Sequence, residues 1–449
     1  MKALRIQWKG EKPIPPTPSG GGTYGVRFAK NSDSADGTRV GDMALHASLP
    51  IQSKMKRCLL LDNGTVNYYL DPDDSTKKAD GTAADLTGAD GQYMVEIPEF
   101  YANLIETDDY VEFSVSTDPV DGYFHYPKMY VSADEACLDR ATGKLAAVVN
   151  NTANYRGGSN DDSRDADPYL TLLQRPVSNV SWQNFLAAAQ LRGSGWCNYM
   201  NMVNSALYFL FMTEYATKNT QKAYNPDLTV EGYRQGGLGP DVTEFYDWFG
   251  EPFIPTGYTA SLGNSTGVKD YTIQWDDKGV TKTHTAHVSS YRGVSVPIGH
   301  LAKAASGYFL RATSAEDVYA YFRNNPDTMS YEPVAGDISV RVPLSIQGQL
   351  VSKLGFVGGN LYPSEGTGDP ISDQTQPLTT YYCDGAYVLG SDMASEVYDP
   401  ESHVSSVPGL GGDADFGSYC GFACADFGDG PSVADPAIGS RLCFITQNV

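Results

Sequence analysis

Apolar and polar residues alternate along much of the first third of this chain, and strands are the elements that pattern predicts. The runs Lys56–Leu61 and Thr65–Leu70 flank Asp62-Asn63-Gly64, and Asn-Gly between two such runs is a strong hairpin signal. Residues 71–91 are Asp, Gly, Ala and Thr and read as a loop. The chain is strand-like again from Met94 to Tyr130, with a break at Asp118-Pro119. Residues 151–168 form a long polar loop. Its carboxylates lack the regular Asp-x-Asp-x-Asp-Gly spacing of a calcium loop, so a solvated loop is expected.

The period turns helical near residue 181. Ser181 can cap a helix with Trp182, Phe185, Leu186 and Ala189 on one face, and Gly193 can close it. Residues 198–216 hold Val203, Leu207, Leu210 and Phe211 at helical spacing, with more apolar residues around the cylinder, which predicts a nearly buried helix. From about 235 the chain becomes Gly-, Tyr- and Ser-rich, predicting short strands and long loops, with one further helix at Ser314–Asn324. No internal repeat is visible. Residues 11–22 (EKPIPPTPSGGG) read as a linker, stiff and then flexible, with an attachment peptide before it.

Composition narrows the function classes. The 449 residues suffice for two or three domains, or one large domain with an appendage. With 30 Tyr, 46 Gly and only 19% charged residues, the chain suits a loop-rich globular protein with tyrosine-lined surfaces better than a disordered one. A net charge of −22 without clustered Lys and Arg argues against nucleic acid and against an anionic membrane surface, and its plainest consequence is solubility. Met1–Gly10 holds no apolar run of signal-peptide length, and the longest apolar stretch, Ala206–Met212, is far short of a membrane span. Folding in a cytoplasm without signal-directed export is therefore expected, with no membrane insertion. The seven cysteines, an odd number without a CxxC pair, predict reduced, buried thiols. Cys420 and Cys424 lack the two further ligands of a closed zinc site, so no metal and no cofactor are expected.

Several segments carry a resemblance as a set. Arg175-Pro176-Val177-Ser178-Asn179, the helix after it and Arg192-Gly193-Ser194-Gly195-Trp196 resemble the helical core of large C-type-lectin-fold proteins, in their formylglycine-generating-enzyme-like branch. Tyr291-Arg292-Gly293 leading to Pro297-Ile298-Gly299, the strand Ile438-Gly439-Ser440-Arg441, and an opening strand from Met94 to Tyr101 are similar to the same family. Within that branch the chain looks most like the variable proteins of diversity-generating retroelements, common in phages and prophages of gut bacteria. The resemblance implies an α+β, C-type-lectin-like domain over 92–449. It also implies a small β unit over 23–91, where His46–Ser53 resembles the N-terminal part of the same proteins, and a linker region over 1–22. It further implies a non-enzymatic receptor-binding protein of a phage tail tip, made in the host cytoplasm and carried on the virion. Its partners would be a bacterial surface receptor (protein or glycan), other virion tail proteins and copies of itself, a trimer by analogy. A decoration or fibre protein without a receptor, and an enzyme acting on cell-surface glycans, stay open as alternatives.

In such proteins the variable stretch begins at a Gly-Gly pair and ends before Ile-Gly-x-Arg. Here that runs from Gly411-Gly412 to just before Ile438, within a variable segment of about 404–437. Retroelement diversification substitutes at adenines, and its usual hotspot codons never become Trp, Met, Lys, Glu or Gln. None of those five occurs from Ser402 to Thr446, although they make up roughly an eighth of the chain. The hotspot-like, ligand-binding positions implied are Asp413, Asp415, Phe416, Ser418, Tyr419, Phe422, Asp426, Phe427, Asp429, Ser432 and Asp435, with Gly417, Gly421 and Gly428 holding turns. Asp413, Asp415, Phe416, Tyr419, Phe422, Asp426 and Phe427 are expected side by side on an exposed face, anchored by the returning strand Ile438–Ile445. Many Asp and few Tyr there suit a partner with cationic or hydrogen-bond-donor groups. The other reading is a Gly-rich loop packed on the domain without a ligand.

No catalytic constellation stands out. The related formylglycine-generating enzymes use a cysteine pair near the C-terminal end, but Cys420 and Cys424 lie inside the substitutable tract. His284-x-x-His287 belongs to a strand-like segment without a third ligand, and no nucleophile elbow or phosphate loop is present. Glu332-Pro333-Val334 does not complete the calcium-dependent sugar signature of small C-type lectins. Carboxylate pairs are too numerous to single out, which leaves a glycosidase open.

Overall fold

The computed structural model describes residues 22–32, 34–150, 154–159, 175–223, 254–277, 279–314, 317–342, 349–370, 386–388, 405–413 and 420–446. Among them strand accounts for 44% and helix for 13%, in several sheets that do not close into a barrel, with three α-helices. The expectation of an α+β, C-type-lectin-like fold is thereby corrected: this is a mainly β protein. Residues 11–21 of the linker and most of the 151–168 loop lie outside the described residues. Among those described, no helix is long and apolar enough to cross a membrane.

Two antiparallel sheets organise the first half. One has the order Thr38–Gly41, Thr23–Ala29, Tyr110–Ser116, Phe100–Glu106, Phe124–Tyr126. The other has the order Trp196–Asn198, Leu442–Ile445, Met129–Ser132, Gln92–Ile97, Lys56–Leu60, Val66–Tyr69. Residues 23–91 thus form no unit of their own. Thr23–Ala29 pairs along its whole length with Tyr110–Ser116, Lys56–Leu60 pairs with Gln92–Ile97, and one continuous apolar core holds both regions. The Asn-Gly hairpin forms where predicted: Gly64 takes φ +78°, and the Asn63 side chain accepts from Thr65 N at 2.9 Å.

Helix α1 (Met43–Ser48) lies at the surface with no buried residue, whereas α2 (Trp182–Gln190) and α3 (Asn201–Tyr215) pack against the sheets. Every residue of α3 from Asn201 to Thr213 is buried, as its all-round apolar sequence predicts. Its rings join sheet to sheet. Phe209 lies edge-on to Phe113 at 5.3 Å and to Phe356 at 5.1 Å, and Phe211 meets Tyr291 at 5.4 Å.

The helix expected at Ser314–Asn324 is instead a strand, Asp317–Phe322, between Tyr308–Ser314 and Ile338–Val342. The period explains it. Val318, Ala320 and Phe322 are buried while Tyr319 and Tyr321 are half-exposed, an alternation of two that no helix makes. A mixed seven-stranded sheet completes the second half, in the order Asn360–Pro370, Gln349–Val357, Ala386–Val388, Ala425–Asp429, Val407–Leu410, Ala302–Ala304, Ile438–Gly439. Its middle carries the tract expected to vary.

Candidate functional site

The tract enters through a turn that only glycine suits. Gly411 and Gly412 take φ +88° and +71°, and a Cβ on Gly411 would come within 3.3 Å of the Pro297 carbonyl. Asp413 then bridges to His300 in parallel register and is only 9% exposed. Asp415, Phe416, Ser418 and Tyr419 lie in 414–419, outside the described residues. The two ends of that stretch meet, because Cys420 Sγ donates to the Asp413 carbonyl at 3.0 Å.

Two of the expected contact rings are core. Phe422 is 2% exposed and packs on Tyr208 (6.0 Å, stacked), Phe211 and Tyr291. Phe427 is fully buried, edge-on to Tyr308 at 4.9 Å. The exposed aromatic patch expected at these positions is therefore corrected, and Asp413 is likewise removed from it. For Phe427 the reason is register. Ala425–Asp429 pairs with Val407–Leu410 on one side and Ala386–Val388 on the other, so alternate side chains enter the core.

The remaining positions reach the surface. Asp426, Asp429 and Asp435 are part-exposed, and Ser432, Val433 and Ala434 are exposed. Asp426 and Asp435 commit an oxygen to local turns, accepting from Gly428 N at 2.8 Å and Ala437 N at 2.7 Å. Burial pushes the Asp426 carboxyl above its ordinary value, opposed by the Gly428 N–H. Gly428 does not need a positive φ.

What fixes this path is directed at the main chain. Gln221 Nε2 donates to the Cys420 carbonyl at 2.8 Å, Asn204 Nδ2 to Phe422 O at 3.0 Å, and Ser406 Oγ to Phe427 O at 2.6 Å. The Gln183 and Asn179 amides donate to the Pro431 and Asp435 carbonyls at 3.0 and 3.1 Å. Such bonds do not depend on which side chain the tract carries, so solvent-facing positions can change without loss of the path. Asn204→Ala is expected to cost about 1–3 kcal/mol in urea unfolding, because the Phe422 carbonyl and the Tyr199 hydroxyl both lose their partner.

Beneath the Gly-Gly turn lies a charged cluster that sequence reading missed. Glu135 accepts from His300 Nδ1 at 2.5 Å and pairs with Lys303 Nζ at 3.2 Å, and all three side chains are at most 3% exposed. Burial alone would raise the Glu135 carboxyl, but His300 and Lys303 beside it hold it at about 2. Burial lowers the Lys303 ammonium, opposed by Glu135. Arg441, between the strands Ile438–Gly439 and Leu442–Ile445, is fully buried and donates to the carbonyls of Ser132, Ser295 and Val296. A sequence signal existed: lone charges among small apolar residues, as in Ala133-Asp134-Glu135-Ala136 and Ala302-Lys303-Ala304, read as buried, paired ions.

Other candidate chemistry falls into structural roles. His287 pairs across its hairpin with Asp270 at 2.7 Å. Among the described residues six cysteines, Cys420 and Cys424 included, are buried, and burial pushes the Cys197 thiol up to about 12. Among the described residues no group of three His, Cys, Asp or Glu could hold a metal ion. No protein-family model matches the chain, and no curated protein is significantly similar to it.

Proposed function

We propose that this chain is a receptor-binding protein of a phage tail tip, in which the solvent-facing side chains of the 404–437 tract contact a bacterial surface receptor, protein or glycan. One observation carries the reading: scaffold donors hold the main chain of the tract, while Asp429, Ser432, Val433 and Ala434 point outward. The absence of Trp, Met, Lys, Glu and Gln from Ser402 to Thr446 supports the same reading. It requires no lectin fold, since a rigid β-scaffold presenting a pinned loop serves equally. Among the described residues the contact surface proposed is Asp426, Asp429, Ser432, Val433, Ala434 and Asp435, with Phe422 and Phe427 as supports. No catalytic role is assigned to it, and other tail proteins and further copies of the chain would share the virion.

Sequencing the neighbouring DNA tests this directly. The expected result is a near-copy of the codons for 402–446 beside a reverse transcriptase. Its differences should fall on codons of solvent-facing residues and spare Phe422 and Phe427. A locus without such a copy removes the diversification part of the proposal. Virions that lack the chain by mass spectrometry remove the rest.

A further inference from the structure

A second surface feature has no part in that reading. A cleft of about 480 Å³ lies between the Gln52–Lys54 turn, the loop at Pro72-Asp73, and the Asn264 and Arg292 loops. Three cations, Lys54, Lys56 and Arg292, line it against one carboxylate, Asp73. The chain as a whole has 54 acidic residues and 32 basic ones, so the balance in the cleft is reversed.

The cations are arranged to act outward. Arg292 stands in the left-handed region at φ +49°, a conformation costly for a residue with a Cβ. Its guanidinium grips Glu214 of α3 through Nε at 3.1 Å and Nη2 at 2.5 Å, which orients the group and leaves Nη1 without a partner among the described residues. The Lys54 ammonium has no ion pair or hydrogen bond among them. Lys56 lies over the Tyr69 ring at 3.6 Å and stands 3.9 Å from Glu96, beyond hydrogen-bond reach. Asn264 accepts from Arg57 N through Oδ1, so its amide NH₂ remains as a donor.

Behind the cleft, Arg57 is fully buried. Its guanidinium donates to neutral groups (Gly293 O, Thr259 O, Thr259 Oγ1 and Ser75 Oγ), with no carboxylate in hydrogen-bond contact among the described residues. Its charge also faces the buried Asp134 carboxylate, whose ionised form it favours against burial. The carboxylates nearby are engaged: Glu214 by Arg292, and Glu96 by the hydroxyls of Tyr69 and Tyr130.

We propose that this cleft binds an oxyanionic group, a phosphoryl or carboxylate group, held by Lys54, Lys56, the free edge of Arg292 and the Asn264 amide. The full chain would be titrated by calorimetry with inorganic phosphate and, separately, with glucuronate, at constant ionic strength and with chloride as the control. Saturable binding of at least one anion above chloride is expected, phosphate alone marking a phosphoryl site and glucuronate a carboxylate site. Lys54→Glu should weaken it about tenfold or more, since a charge-assisted donor becomes a repelling charge. Lys54→Arg should bind within a few-fold of the parent. Because the Lys54 ammonium has no partner among the described residues, Lys54→Glu should melt at the parent temperature without anion, which separates lost binding from lost folding. Neither anion saturating above chloride, or Lys54→Glu binding as the parent does, would overturn the proposal. The receptor-binding reading stands or falls independently of this result.

Discussion

Replacing Phe427 with alanine is expected to lower the free energy of unfolding by about 3–5 kcal/mol, and Phe422→Ala by a similar amount. Both rings are wedged between α3, the Tyr308 strand and the tract itself, so their removal leaves cavities lined by Tyr208, Phe211, Tyr291 and Tyr308. Ser432→Ala and Val433→Ala, a few residues along, should each stay within about 0.5 kcal/mol, as exposed positions away from caps and buried polar groups do. Urea unfolding of the four variants measures the contrast. Equal, small losses at all four would mean that the tract is not seated as described.

Breaking the buried cluster should cost as much and leave a pH signature. Glu135→Gln removes the carboxylate that compensates Lys303 and His300 in a site closed to water, and losing one partner of a buried pair costs about 3–5 kcal/mol. The folded value of about 2 for Glu135 lies below the ordinary unfolded value of about 4.3. The unfolded chain therefore takes up the proton first as pH falls. The contribution of Glu135 is fully present above about pH 4.3 and is lost as pH drops toward 2. Urea midpoints between pH 7 and 2 should show the gap between parent and Glu135→Gln constant at the high end and closing through that window. A gap that does not change with pH would mean that Glu135 is not held ionised by its neighbours.

How much of this was legible in sequence depended on how local the cause was. Asn63-Gly64 dictates its own turn, and α2 and α3 have helical spacing over two turns or more; all three form in those stretches, although Ser181 gives α2 no side-chain cap and Leu191, not Gly193, is its C-cap. Asp317–Phe322 misled because a short apolar run fits either period, and its partners Tyr308–Ser314 and Ile338–Val342 decide for strand. The pairing of Thr23–Ala29 with Tyr110–Ser116 spans more than eighty residues, and no local pattern announces it. For the same reason four motifs in the right order pointed to a lectin-like α+β fold that the sheets do not bear out.

The candidate site was half legible. At one end Gly411-Gly412 forms a positive-φ turn, and at the other Ile438–Gly439 pairs as a strand and Arg441 is buried against the Ser132 carbonyl. Which rings inside it face water was not, because Phe422 and Phe427 sit among Gly, Ala and Asp in a composition typical of loops. Only the neighbouring strands and α3 turn them inward. Asp415, Phe416, Ser418 and Tyr419 remain expectations from sequence, lying outside the described residues.

The central claim is that the tract has a fixed main chain and changeable, receptor-contacting side chains. A library randomised at Asp429, Ser432, Val433 and Ala434, with Phe422 and Phe427 kept, measures both properties in one experiment. Purified variants would be scored for melting temperature and for adsorption to host cells. The account predicts that most variants melt within a few degrees of the parent while adsorption varies over at least about tenfold, the scale of one or two changed interface contacts. Uniform adsorption across well-folded variants would contradict it.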